Sequence, residues 1–172
     1  MTETNAEQML HALMLKMIEF DAGDAKRIQH FVKVASFART IGMGEGMDAD
    51  TLLTLEAAAI VHDIGIHPSE EKYGDCIGKH QEEMGPEPAR MMLAEVGFSE
   101  ERCERVAYLV GHHHTYKGID GADYQALVEA DFLVNLFEDG ATTKGIRTAG
   151  EKVFRTATGN HLLATMFSCD KA

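Results

Sequence analysis

Basic residues are in short supply. The chain has 16 Lys and Arg against 28 Asp and Glu, a formal net charge of −12. This argues against a sequence-independent nucleic-acid binder, which needs basic surface to displace counterions. It also argues against docking on an anionic membrane. Cysteines are few and widely spaced (Cys76, Cys103, Cys169), with no CxxC. They read as reduced thiols, and a cytoplasmic location is expected. The first residues, Met1-Thr2-Glu3-Thr4-Asn5, show neither the basic nor the apolar region of a secretory signal. No apolar run is long enough to cross a bilayer. Internal repeats and low-complexity stretches are absent. There are only three prolines.

What the sequence does have is helical periodicity. Met9, Leu10, Leu13, Met14, Met17 and Ile18 recur at intervals of three and four. Ile28, Phe31, Val32, Ala35, Ala38 and Ile41 do the same, behind Asp24 as an N-cap. Asp48 or Asp50 caps a nearly unbroken apolar run, Leu52–Val61, and Gly65 reads as its C′ residue. Ser99 and Asp123 read as further caps. Residues from about Lys144 to Phe154 and from Asn160 to Ser168 read as two short helices, with Gly150 and Gly159 as punctuation. Residues 66 to about 79 read as a polar, irregular connection of the length functional lids have. No strand pattern is visible. The expectation is an all-α fold of about six to eight helices, with residues 1–172 forming one domain.

Several polar residues sit where apolar ones are expected. His62-Asp63 ends the buried Leu52–Val61 helix. An ionised carboxylate out of water needs a partner, and a metal cation is among the best. Asp131 lies inside Ala126–Phe137, apolar on most sides; metal ligation or a structural ion pair would satisfy it. His30 lies in row with Val34, Phe37 and Ile41, and alone reads as a hydrogen-bonded core histidine. His112-His113-His114 ends another apolar helix, as His62 does. Imidazoles and carboxylates together suit a first-row divalent metal.

With Arg27-Ile28-Gln29-His30, Ala59-Ile60-Val61-His62-Asp63-Ile64-Gly65 and Glu129-Ala130-Asp131-Phe132-Leu133, the chain resembles the HD superfamily of metal-dependent phosphohydrolases. The resemblance runs from about Arg27 to Asn135. It implies an HD-type helical bundle with a metal-site core at about 25–139 and a helical extension at 140–172. It also implies one or two divalent ions (Fe, Mn, Zn, Ni or Co). One ion would be held by His30, His62, Asp63 and Asp131. The other would take His80 and His112, with Asp63 as the bridging and water-orienting carboxylate. His113 is an alternative ligand or a supporting donor, and His113 and Lys117 are expected to contact substrate.

The chain departs from the cyclic-dinucleotide branch of the superfamily. Gly118-Ile119-Asp120-Gly121-Ala122-Asp123-Tyr124 lacks the Gly-Tyr-Pro that follows the paired histidines there, which demotes cyclic di-GMP. Ile66 stands where a lysine is common. The function expected is metal-dependent hydrolysis of a nucleotide or small phosphorylated metabolite. The alternatives are an HD-type diiron oxygenase and a non-catalytic metal- or nucleotide-binding regulator. The oligomeric state is left open.

Overall fold

A computed structural model of the chain describes residues 3–168, and among them forms ten α-helices and no strand. α1 (Glu3–Phe20) buries Met9, Leu13 and Met17. α2 (Ala25–Gly44) starts where Asp24 accepts a hydrogen bond from the Arg27 amide at 3.0 Å. α3 (Ala49–Val61) starts at Asp48, which accepts from the Asp50 and Thr51 amides, both at 3.0 Å. Such caps satisfy orphan amides and are worth about 1 kcal/mol each.

α3 is the axis of the bundle. Leu55, Ala57, Ala58, Ala59 and Val61 have no solvent exposure. The three alanines present little bulk, so α1, α2, α7 and α8 pack around the helix on all sides. Burying one side chain the size of Leu55 contributes about 2 kcal/mol. His62-Asp63 therefore emerges at the centre of the molecule rather than at its surface.

The helix count exceeds the six to eight expected because residues 66–84 are more ordered than their polarity suggests. They form α4 (Ile66–Tyr73) and α5 (Gly78–Met84). Both are short helices that rely on tertiary packing, through buried Ile66, Ser69 and Gln81. Gly65 is not a left-handed C′ residue: its φ is −73°, and it stands at the start of α4. Close approach explains the glycine. A Cβ there would meet the Gln81 carbonyl and lie 2.9 Å from the Gly85 nitrogen.

α6 (Pro86–Val96) has proline in its first turn and ends at left-handed Gly97. α7 (Glu100–Val110) is capped by Ser99. α8 (Ala122–Glu138) is not capped by the Asp123 side chain. That carboxylate lies inside the first turn and pairs with Arg105 at 2.7 and 2.9 Å. α9 (Thr143–Lys152) and α10 (Ala157–Phe167) begin at Thr142 and Thr156. Gly150 falls within α9, and Gly159 lies within α10, which starts a few residues before the expected Asn160. Cys76 is an exposed free thiol and Cys103 a buried one; Cys169 lies outside the described residues. No helix among the described residues is long and apolar enough to cross a membrane.

Candidate metal centre

Three helices converge on one point. α2 brings His30, the end of α3 brings His62 and Asp63, and α8 brings Asp131. The His30 Nε2 lies 3.1 Å from Asp131 Oδ1, 3.6 Å from Asp63 Oδ2 and 3.3 Å from His62 Nε2. The His62 Nε2 is 3.5 Å from both Asp63 Oδ2 and Asp131 Oδ1. Donor atoms of His30, His62 and Asp63 all lie within 4.8 Å of one another. His30, His62 and Asp131 are buried, and the Asp63 side chain is 17% exposed.

The other ring nitrogen of each histidine fixes which one faces the cluster. His62 Nδ1 donates to the Ala59 carbonyl at 2.9 Å, and His113 Nδ1 to the Val110 carbonyl at 2.8 Å. His30 Nδ1 donates to Glu138 at 3.0 Å, and Lys33 neutralises that carboxylate. A carbonyl or carboxylate only accepts, so Nδ1 carries a proton in all three and Nε2 points inward. This is the orientation a metal-ligating histidine needs.

The cluster is strongly polarised. Burial opposes charging His30, yet the Asp131 hydrogen bond and the Asp63 and Asp131 charges raise its pKa to about 9. Burial would raise the Asp131 carboxyl, but hydrogen bonds from His30 and His62 hold it well below the ordinary carboxylate range. Asp63 is likewise depressed against its burial, by the His62 charge and by the His113 ring beside it. Asn135 also donates to Asp131, at 2.8 Å.

A second group adjoins the first through Asp63. His113 Nε2 lies 3.5 Å from Asp63 Oδ1, fully buried and with no hydrogen-bond partner. His113 and His114 rings are 4.0 Å apart, and His114 with Asp63 and His113 completes a set of donors within 4.8 Å. Burial and the neighbouring His113 lower the His114 pKa to about 4, so it is neutral near pH 7. Its Nε2 is 3.2 Å from the Gln81 side-chain oxygen. An orphaned buried imidazole nitrogen facing a carboxylate is a pair that a cation would satisfy. The donor set, imidazole nitrogen and carboxylate oxygen, fits a divalent transition metal.

The structure brings together His30, His62, Asp63 and Asp131, and adds His113. It places the others elsewhere. His112 turns away, with Nδ1 donating to the Tyr108 carbonyl at 2.7 Å and its ring stacked on Tyr108. His80 pairs with Asp75 at 2.7 Å and stacks on Tyr73, while its neighbour Gln81 faces inward. Lys117 lines a different cavity.

Two supporting residues had no sequence signal of their own. Glu82 accepts from the His114 amide and the Thr115 hydroxyl, both at 3.0 Å. The Tyr124 hydroxyl donates to the His112 and Thr115 carbonyls. Together they pin the turn that aims His113 and His114.

The centre opens into a cavity of about 320 Å³ lined in part by Lys26, Arg27, Gln81, His114, Asn135 and Glu138. Arg27 is engaged by Asp24 and Glu70. Lys26 has no acid partner among the described residues.

No curated protein matches the chain. The chain is similar to a predicted HD superfamily hydrolase from an uncultured Thermotogales bacterium, known from a 1.45 Å crystal structure. The two superpose with a TM-score of 0.63 at 24% identity, over 94% of this chain and 84% of that one. The family model for the HD domain matches residues 27–143, a span that holds all four residues of the central cluster. By that match and by the convergence of His30, His62-Asp63 and Asp131, the chain belongs to the HD domain family.

Proposed function

We propose that the protein is a metal-dependent phosphohydrolase acting on a nucleotide or small phosphorylated metabolite. HD domains bind divalent metals, and the buried, orphaned Nε2 of His113 facing Asp63 is the observation that carries the reading. His30, His62, Asp63 and Asp131 would hold one ion. Asp63, His113 and His114 offer a second position, where the nearby Gln81 amide is a weaker donor than an imidazole or carboxylate. A bound divalent ion supplies Lewis acidity toward a phosphoryl oxygen and lowers the pKa of water.

The chain's own residues do the rest. Asp63 directs one carboxylate oxygen to each group of donors and would orient the attacking water. Lys26, the unpaired cation of the cavity, meets the substrate phosphate in place of Lys117. His62 and Asp131, almost without exposure, keep bulk water from the back of the site. The cavity is too small for a folded polymer and suits a compact phosphoester.

The test is a phosphoester panel run with protein loaded in turn with Mn, Fe, Co, Ni and Zn, with oxygen uptake followed in the iron sample. Phosphate release that disappears in His62→Ala and Asp63→Ala supports the reading. Oxygen consumption without phosphate release would replace it with oxidative chemistry.

A further inference from the structure

On the face of α8 next to the one that lines the metal cavity lies a larger groove of about 650 Å³, within the size range of small-molecule sites. Neighbouring residues divide the two: Asp131 lines the metal cavity, and Phe132 the groove. The groove runs between α8, α9 and the segment at Tyr116-Lys117. Its floor is apolar, formed by Phe132, Leu136, Ala149 and Val153. The Tyr116 ring meets Phe132 edge-on at 5.0 Å and closes one end.

The rim is cationic in an acidic protein. Lys117, Lys152 and Arg155 line it against one carboxylate, Glu151, in a chain of net charge −12. Elsewhere cations are mostly consumed: Lys16, Lys33, Lys72, Arg90, Arg102 and Arg105 all sit in ion pairs. At the groove, Arg155 is occupied by the Glu151, Lys152 and Phe154 carbonyls. Lys117 and Lys152 have no acid partner among the described residues. Two unpaired ammonium groups beside a half-open apolar floor match a ligand with one anionic head and an apolar body.

We infer that the groove between α8 and α9 binds a free amphipathic monoanion such as a medium-chain carboxylate, with its head at Lys117 and Lys152 and its body on Phe132 and Leu136. This site is separate from the metal cavity and does not rest on the phosphohydrolase reading. A free molecule rather than a bilayer is favoured because the lysines flank a recess and the chain as a whole repels anionic membranes.

The test is calorimetric titration of the full chain with decanoate below micelle formation, in parallel with 1-decanol. Saturable one-to-one binding is expected, at least tenfold weaker for 1-decanol and for Lys117→Glu/Lys152→Glu, with the melting temperature unchanged. Thr148→Trp, an exposed lining position, should block the groove and abolish binding without touching either lysine. Absence of saturable binding, wild-type affinity in either variant, or equal affinity for the alcohol would overturn the site. So would binding to phosphatidylglycerol vesicles with none to monomeric decanoate.

Discussion

Nδ1 of His30 donates to Glu138 at 3.0 Å, across the gap between α2 and α8. His62 and His113 obtain the equivalent support from carbonyls of their own helices. His30 alone depends on a side chain 108 residues away. Partners of this kind hold a ligand's ring and raise its basicity, and their loss costs about 10- to 100-fold in metal affinity. Glu138→Ala should therefore weaken Mn binding by that factor. Glu138→Gln, which can still accept the hydrogen bond, should fall between it and wild type. Chelator competition measures both; an unchanged affinity in Glu138→Ala would mean that His30 is oriented by something else.

The raised pKa of His30 makes metal binding pH-dependent. At pH 7 its Nε2 carries a proton that a metal must displace, because its pKa is about 9. Affinity should rise roughly tenfold per pH unit from 7 toward 9, reflecting one released proton. In chelator-treated protein the sign for stability is the reverse. A raised histidine pKa contributes fully below its ordinary value and loses that contribution as pH climbs through about 9. The depressed Asp131 contributes above its ordinary value and is lost on acidification. Chelated protein should thus be most stable between roughly pH 4 and 6.5. It should lose on the order of 2 kcal/mol by pH 9.5. Thermal melts of wild type and His30→Gln, which lacks the alkaline loss, check this.

Neighbouring histidines should behave oppositely. His113→Ala removes a buried donor that faces Asp63. His112→Ala removes a ring stacked on Tyr108. The first should abolish the weaker phase of metal binding and cut any hydrolysis by at least 100-fold. The second should leave both within about threefold, with a small loss of stability from the lost stacking. Reversed results would return the ligand role to His112.

These contrasts show what the sequence carries and what it does not. His62, Asp63 and Asp131 stand out because they end or interrupt apolar helices, and burial of an unpartnered charge is costly enough to be informative. His30 could be placed on an inward row by helical period alone. The triplet of histidines could not be ranked, because it lies in a turn beyond α7 where no period applies. Its orientation is set by the distant Glu82 and Tyr124. His80 and Gln81 are one residue apart on α5, about 100° around the helix, and which of them faces inward depends on how α5 packs. That packing rests on the bare backbone at Gly65 and Gly85, where each added Cβ would collide with a neighbour. The polar text of residues 66–84 gives no hint of it.

Glu129 offers a last prediction, about the link between the core and its C-terminal helices. Two residues before Asp131 on α8, it has no solvent exposure. Its carboxylate does not face the metal centre. It accepts from the Arg155 and Thr156 amides at 2.6 and 2.9 Å, from the Gln125 amide at 2.7 Å and from the Thr156 hydroxyl. A Cβ added at Gly159 would strike this carboxylate, which explains a glycine inside α10. Glu129→Ala leaves two backbone amides and a hydroxyl without their acceptor, a loss of roughly 3 kcal/mol. For a chain of this size that is a melting-temperature drop of about 6–10 °C. Gly159→Ala should also destabilise, through the displaced carboxylate. Metal affinity at permissive temperature should stay within about twofold in Glu129→Ala, since none of its hydrogen bonds reaches a donor of the cluster. A selective loss of metal binding with an unchanged melting temperature would instead make Glu129 part of the centre.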